Sequence, residues 1–205
     1  MKKLMMSILA LTLISCTKSE TKTEEKSGGI SDLVSGVKNY SEISKSVDEV
    51  SKNIEVLKKT TPLSNEELKA ILPESLLGLK RTEISVGDTS MMALTTAEAK
   101  YKSEDRKSID VQIMDGAGEM GSAMVSSMMM GLGGNREKTT ENGFEKTTEI
   151  DGMKALVSEE KSGENVSSKI QVIAKKRYLF TMSGEGISYE DLLKAFGEIN
   201  TSGLK

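Results

Sequence analysis

The only cysteine of this chain, Cys16, follows a segment whose residue types predict secretion and cleavage. Lys2 and Lys3 place positive charge near the N-terminus, an apolar run extends from Leu4 to Ile14, and the small residue Ser15 directly precedes the cysteine. This layout is typical of a secretory signal peptide. The apolar run has about 11 residues, whereas a membrane-spanning helix needs ~20. We therefore expect a signal peptide that is cleaved before Cys16.

The combination of charge, length, small residue and cysteine resembles the bacterial lipoprotein signal. The resemblance implies that residues 1–15 are removed and that Cys16, as the first residue of the mature chain, carries lipid such as palmitate. Thr17 follows the cysteine where enterobacterial inner-membrane lipoproteins have Asp, which favours the outer membrane over the inner membrane. The other interpretation is an ordinary secretory signal followed by an incidental cysteine.

A methionine-rich segment, residues 114–134, is the second place where residue types indicate chemistry. Met120, Met124 and Met128 recur every four residues and so share one face of a helix. Methionines at such positions pack irregular cores, bind soft metals such as Cu(I), or line an adaptable apolar groove for a peptide or lipid. Packing against the sheet is the simplest interpretation, because histidine and a second cysteine, the usual copper co-ligands, are absent from the sequence.

The composition argues against most catalytic and nucleic-acid functions. The chain contains no histidine, which removes the commonest general base and the histidine-dependent nucleophile schemes. It has no tryptophan, and removal of the signal lysines changes the formal net charge from −3 to −5, so no basic field attracts nucleic acid. We predict a protein that is not an enzyme, has no cofactor and binds no nucleic acid.

Other charged clusters are weaker candidates. Lys80-Arg81 and Lys175-Lys176-Arg177 have the composition of an anion or headgroup patch, although exposed turn charges are usually only solvated. Asp110, Asp115 and Glu119 offer carboxylates, with Asp110 on the outward face of its strand. No calcium-loop pattern is present.

Two segments precede the predicted globular domain. Residues 16–29 are polar and end in two glycines, which indicates a flexible tether. Ile30 to Lys59 has apolar residues at spacings of three and four, which predicts an amphipathic helix with a coiled-coil rhythm between Ile43 and Leu57. This helix packs along its own domain, binds a partner or a second copy, or forms a weakly ordered spacer.

The sequence of residues 62–205 predicts an α+β domain with an antiparallel sheet built from hairpins and with packed helices. Three hairpins are expected, centred on Ser103–Asp105, on Asp151-Gly152 and on Lys175-Lys176. The second strand of the last hairpin is expected to run from Arg177 to Ser183. Ser64 and Glu67 form a capping box before a short helix that Pro73 stops, and Ser188 caps a helix over Tyr189 to Phe196.

The same region looks like a group of uncharacterised bacterial envelope lipoproteins. The resemblance spans roughly Leu63 to Lys205 and depends on the following short motifs: Leu72-Pro73, Leu77-Gly78-Leu79-Lys80-Arg81, Ala97-x-Ala99-x-Tyr101, Val111-x-Ile113-x-Asp115-Gly116 and Gly184-x-Gly186. The order of elements is also similar to the PsbP-like α+β fold, which implies an accessory or assembly role without a shared catalytic site. No functional residues carry over from this resemblance.

The expected function is therefore that of a lipid-anchored, non-enzymatic envelope protein of the periplasm. Lipid on Cys16 holds the chain at the membrane, and the domain binds a protein or small-ligand partner, with the helix from Ile30 to Lys59 available for self-association. The alternative is an envelope copper-handling protein that uses residues 114–130.

Overall fold

A computed structural model describes residues 47–89 and 94–205 of the chain. The predicted signal peptide, Cys16, the tether and the first part of the predicted N-terminal helix lie outside these residues. Helix α1 covers 47–58, so the end of the predicted helix is helical. No helix of the described ranges combines the length and apolar character that crossing a membrane requires.

The described part of the chain consists of helices and of two runs of consecutive antiparallel strands. After α1 come α2 (Asn65–Ile71), β1 (Ser75–Leu76), β2 (Leu79–Thr89), β3 (Leu94–Lys102), β4 (Ser108–Asp115), α3 (Gly118–Leu132), β5 (Glu137–Thr140), β6 (Gly143–Ile150), β7 (Met153–Ser162), β8 (Asn165–Ala174), β9 (Tyr178–Glu185) and α4 (Tyr189–Gly197). A 3-10 turn at Thr201–Gly203 follows. The predicted α+β class is confirmed.

One nine-stranded sheet contains all the described strands, in the order β1-β2-β3-β4-β9-β8-β7-β6-β5. Every neighbouring pair is antiparallel. Two meanders, β1 to β4 and β5 to β9, therefore meet where β4 pairs with β9. There the buried residue Val111 lies opposite Met182, and Ile113 lies opposite Phe180.

The two faces of the sheet carry different helices. On one face the main core includes Leu68 of α2 and Leu192 and Phe196 of α4, packed on inward residues such as Ile113 and Phe180. On the other face a smaller second core joins α1 and α3 to the sheet. Its buried members are Leu57, Leu94, Met114, Val125, Leu132 and Ile173. Adjacent residues Ile113 and Met114 point to opposite cores, as strand alternation requires.

All three predicted hairpins are present, with one boundary corrected. Asp151 and Gly152 both have positive φ, 49° and 76°, as a type I′ turn requires. The last hairpin was predicted to place Arg177 in a strand, and this was wrong, because β9 begins at Tyr178. Lys175 and Lys176 both adopt positive φ, which leaves Arg177 in the turn.

The predicted helix caps are also confirmed. The Ser64 side chain accepts from the Glu67 backbone N–H, and the Glu67 carboxylate accepts from the Ser64 N–H at 2.8 Å. Ser188 accepts from the Asp191 N–H at the start of α4. These bonds satisfy backbone donors that a short helix otherwise leaves unpaired.

Candidate functional site

Small residues bring α3 very close to the end of β4. A Cβ added at Gly116 would lie 2.5 Å from the Arg177 carbonyl oxygen and 2.6 Å from Val125 Cγ2, so only glycine fits there. A Cβ on Gly121 would lie 2.7 Å from the Asp115 carbonyl oxygen. The face of α3 that meets the sheet is therefore built from small residues together with Val125 and Leu132.

The predicted methionine face is turned mainly outward. Met120 and Met124 are 45% and 46% exposed, and Met130, on the flank of the same side, is 62% exposed. Met128 lies at the boundary and is partly buried with Met129 against the second core. The interpretation that Met120, Met124 and Met128 pack together on the sheet is thus wrong for the first two, because the close approach at Gly121 selects the opposite face.

We call Met120, Met124 and Met130 the methionine surface. It is a helix face of unbranched, flexible side chains, which adapt their shape to an apolar partner at low cost. Helix α1 packs beside α3, where Asn53 donates from Nδ2 to Met129 Sδ at 3.7 Å and to the Lys176 carbonyl oxygen at 2.8 Å. α1 exposes Val47 and Val56, which are nine residues apart and therefore lie on different sides of the helix.

The thioethers of α3 offer limited metal chemistry. Met120 and Met124 lie one turn apart and are accessible, whereas Met120 and Met128 are separated by about 12 Å along the helix axis. Two neighbouring methionines at most, and not all three, are close enough to ligate one Cu(I) ion. No cluster of three or more carboxylate or cysteine ligands suitable for a metal occurs within the described ranges.

A polar cleft lies across β5 to β9 and has a volume of about 410 Å³. Its charged lining residues are Lys138, Glu145, Glu159, Glu160, Lys169 and Glu185. Several polar groups already serve the fold: the Glu159 carboxylate accepts from the Tyr189 N–H at 2.8 Å, and Ser168 donates to the Ile187 carbonyl oxygen. Small-ligand pockets of this size are usually mainly apolar, which this cleft is not.

The predicted basic patch around Lys175 to Arg177 does not form an anion site. Arg177 is buried, and its guanidinium makes two hydrogen bonds to the Asp115 carboxylate, 2.7 Å from Nε and 2.8 Å from Nη2. The hydrogen bond with Asp115 raises the pKa of Arg177. Lys176 pairs with Glu49, and Lys175 donates to the Leu204 carbonyl oxygen.

The other singled-out charges are placed as follows. Arg81 Nη1 donates to the carbonyl oxygens of Leu72 and Pro73, at 2.6 and 3.0 Å, so this cation is also structural. Asp115 is fully buried, and Glu119 is exposed in the first turn of α3. Asp110 lies on the outward face of β4, as predicted.

In comparisons with known proteins, no family model, no curated protein and no solved structure matches this chain.

Proposed function

We propose that this chain is a lipid-anchored, non-enzymatic envelope protein that binds a partner protein through the methionine surface. The observation that carries the proposal is the exposure of Met120, Met124 and Met130 on a helix whose other face is packed against the sheet. A protein partner is favoured over a small ligand because the cleft across β5 to β9 is polar and partly occupied by structural hydrogen bonds.

The anchor and the domain have separate roles in this proposal. In this proposal lipid on Cys16 holds the chain at the envelope, with the outer membrane favoured by Thr17 after the cysteine, and residues 16–29 give the domain reach. Anchoring raises the effective concentration of the domain for a partner at the same membrane. The resemblance to PsbP-like accessory proteins agrees with a binding role and supplies no catalytic residue.

The anchor is tested by fractionating cells that express the full chain or Cys16→Ser. The full chain is expected in the membrane fraction with a lipid-dependent increase in mass, and Cys16→Ser in the soluble envelope fraction or unprocessed. Far-UV circular dichroism of purified Cys16→Ser serves as the folding control. Membrane association that is unchanged in Cys16→Ser would contradict the anchor.

The binding surface is tested by photo-crosslinking in the native envelope. A photoreactive residue at Met124 is compared with one at Lys194, which is exposed on α4 on the other face of the sheet. We expect a discrete product from position 124 that disappears when Met120 and Met130 are changed to Asp. Equal products from both positions, or products insensitive to those changes, would exclude the methionine surface.

A second candidate function is copper handling, which the accessibility of Met120 and Met124 one turn apart favours. Titration with Cu(I) against a competing chelator measures it. Binding that is lost in Met120→Leu/Met124→Leu and kept in Met130→Leu would support this candidate over partner binding. Absence of binding above chelator competition would end it.

A further inference from the structure

The outer edge of β2 is the longest unpaired strand edge in the described part of the chain. β1 pairs with β2 only at Leu79 and Lys80, and the Arg81 N–H donates to the Glu74 carbonyl oxygen. From Glu83 to Thr89 each residue of β2 pairs with β3 on the inner side, whereas Thr82 lies at a register shift between Arg81 and Glu83. No described strand pairs with the outer side of Thr82 to Thr89. We call Thr82–Thr89 the free edge.

The free edge has little of the protection that natural edges have against strand pairing. Natural edge strands are short, carry charges (especially lysine) or proline, or are interrupted by bulges. The bulge on this strand lies at Thr82, the first residue of the free edge, so the stretch from Glu83 to Thr89 is regular. At the opposite end of the sheet β5 has four residues, all exposed, including Lys138. The free edge is twice as long and contains neither lysine nor proline. One of its acidic groups, Glu83, is already paired with Lys100 at 3.0 Å.

A second copy of this chain matches the free edge in one register. When a two-fold axis relates two antiparallel edge strands, the same face of the sheet is on the same side in both copies. Residues that lie opposite each other must therefore both have odd numbers or both have even numbers. If the axis passes through Ser85, seven of the eight residues of the free edge lie opposite a residue of the second copy. Ile84 of each copy then lies opposite Val86 of the other copy. Both residues are only partly buried against the main core.

Neighbouring registers match less well. Centring on Ile84 brings Arg81, whose N–H is already bonded to Glu74, into the pairing. Centring on Val86 sets Ile84 opposite Asp88, which pairs an apolar with an acidic residue. In the Ser85 register Glu83 lies opposite Gly87, so no like charges are directly opposed.

We infer that two copies of this protein associate edge to edge, pairing β2 antiparallel about Ser85. The main core of one copy then continues into that of the other on one face of a common sheet. This contact uses neither the methionine surface nor α1, so the inference is independent of the proposed partner site.

Disulfide trapping tests the register. In a Cys16→Ser background, any introduced cysteine is the only one in the chain. Directly opposite residues have Cβ atoms about 4.5–5.5 Å apart, so Ser85→Cys is expected to form a disulfide-linked dimer under mild oxidation. Glu83→Cys points to the same face, but its symmetry mate is displaced by four positions, about 13 Å along the strand. Cross-linking of Ser85→Cys alone supports the register. Absent or equal cross-linking of the two variants overturns it.

Sedimentation across a concentration series tests the association itself. The Cys16→Ser chain is expected to reach the mass of two copies as its concentration rises, and the added substitution Ser85→Thr is expected to leave this unchanged. The added substitution Ser85→Lys is expected to keep the chain at the mass of one copy, because two lysines would face each other across the axis. Ser85 is exposed and opposite Glu98 of β3, so the lysine does not disturb the fold. A parent chain that stays monomeric, or a dimer that survives Ser85→Lys and is lost in Val47→Lys/Val56→Lys of α1, would overturn the inference.

Discussion

Asp115 joins three separate parts of the described chain at one buried position. Its carboxylate accepts two hydrogen bonds from Arg177, one from the Leu63 N–H at 2.8 Å and one from the Ala117 N–H at 3.0 Å. Arg177 in turn donates to the Thr61 carbonyl oxygen at 3.0 Å and stacks 4.7 Å from the Tyr178 ring centre. A buried charge pair with its remaining hydrogen bonds satisfied is stable, but either partner alone is costly.

Asp115→Ala should therefore lower the free energy of unfolding by about 3–5 kcal/mol. Arg177→Met in the same chain should recover part of this loss, because the unpaired buried charge is gone, while the two backbone donors stay unsatisfied. Urea unfolding measures both variants. Glu83→Gln, which breaks the exposed pair with Lys100, is the control and should cost at most about 1 kcal/mol. An Asp115→Ala cost as small as that of the control would contradict the structural role.

The residues of the candidate site were predictable in part. Spacing correctly placed Met120 and Met124 on one helix face, but spacing alone does not say which face meets the sheet. The available signal was the small residue Gly121 beside Ser122, since a helix that approaches a strand end closely needs small residues there. Arg177 was assigned to an exposed patch because its partner Asp115 is 62 residues away along the chain, a distance that no local pattern covers.

At the scale of elements, the sequence predicted what is local. Alternation and turn residues predicted the hairpins, and cap residues predicted α2 and α4, because each depends on neighbours within a few positions. β2 was missed, since after its first residue, Leu79, it carries only Ile84 and Val86 among polar residues and glycine. β5 was missed because all four of its residues are exposed. The pairing of β4 with β9 depends on contacts between distant segments and had no local signature.

Helix α1 offers an element-scale prediction. Leu57 is 4% exposed in the second core, whereas its neighbour Val56 is 63% exposed. Leu57→Ala should cost about 2–5 kcal/mol in urea unfolding because it leaves a cavity beside Val125 and Leu132. Val56→Ala should have little effect. The described part of the N-terminal helix supports the interpretation that this helix packs along its own domain. Equal costs for the two substitutions would contradict that interpretation.

At the scale of the whole molecule, the fold buries Tyr101 and Tyr178, one from each meander, and partly buries Tyr189 of α4. Burial raises the pKa of Tyr101, Tyr178 and Tyr189 above the ordinary value of 10.0. The unfolded chain ionises these phenols at lower pH than the folded chain, so above about pH 10 the folded state holds more protons. The contribution of the protonated tyrosines to the stability of the folded state is complete below the tyrosine pKa of the unfolded chain. It is lost as the pH rises through the higher tyrosine pKa of the folded chain.

We therefore expect the urea midpoint to fall between about pH 9 and pH 11. Tyrosinate absorbance should rise together with unfolding, which is easily followed because the chain has no tryptophan. Tyr101→Phe should weaken this pH dependence, while losing the hydrogen bond to the Pro73 carbonyl oxygen costs about 1 kcal/mol at neutral pH. Tyrosines that titrate near pH 10 in the folded protein would contradict the prediction.

Leu204 and Lys205 lie at a structural junction. Leu204 is 3% exposed, and its carbonyl oxygen accepts a hydrogen bond from Lys175. The Lys205 carbonyl oxygen accepts a hydrogen bond from the Tyr178 hydroxyl. The Lys205 ammonium forms an ion pair with Glu67 of α2. A purification tag fused directly after Lys205 would therefore crowd α2 and the β8–β9 turn. A tag inserted in the exposed turn between β7 and β8, at Gly163-Glu164, would leave that junction intact.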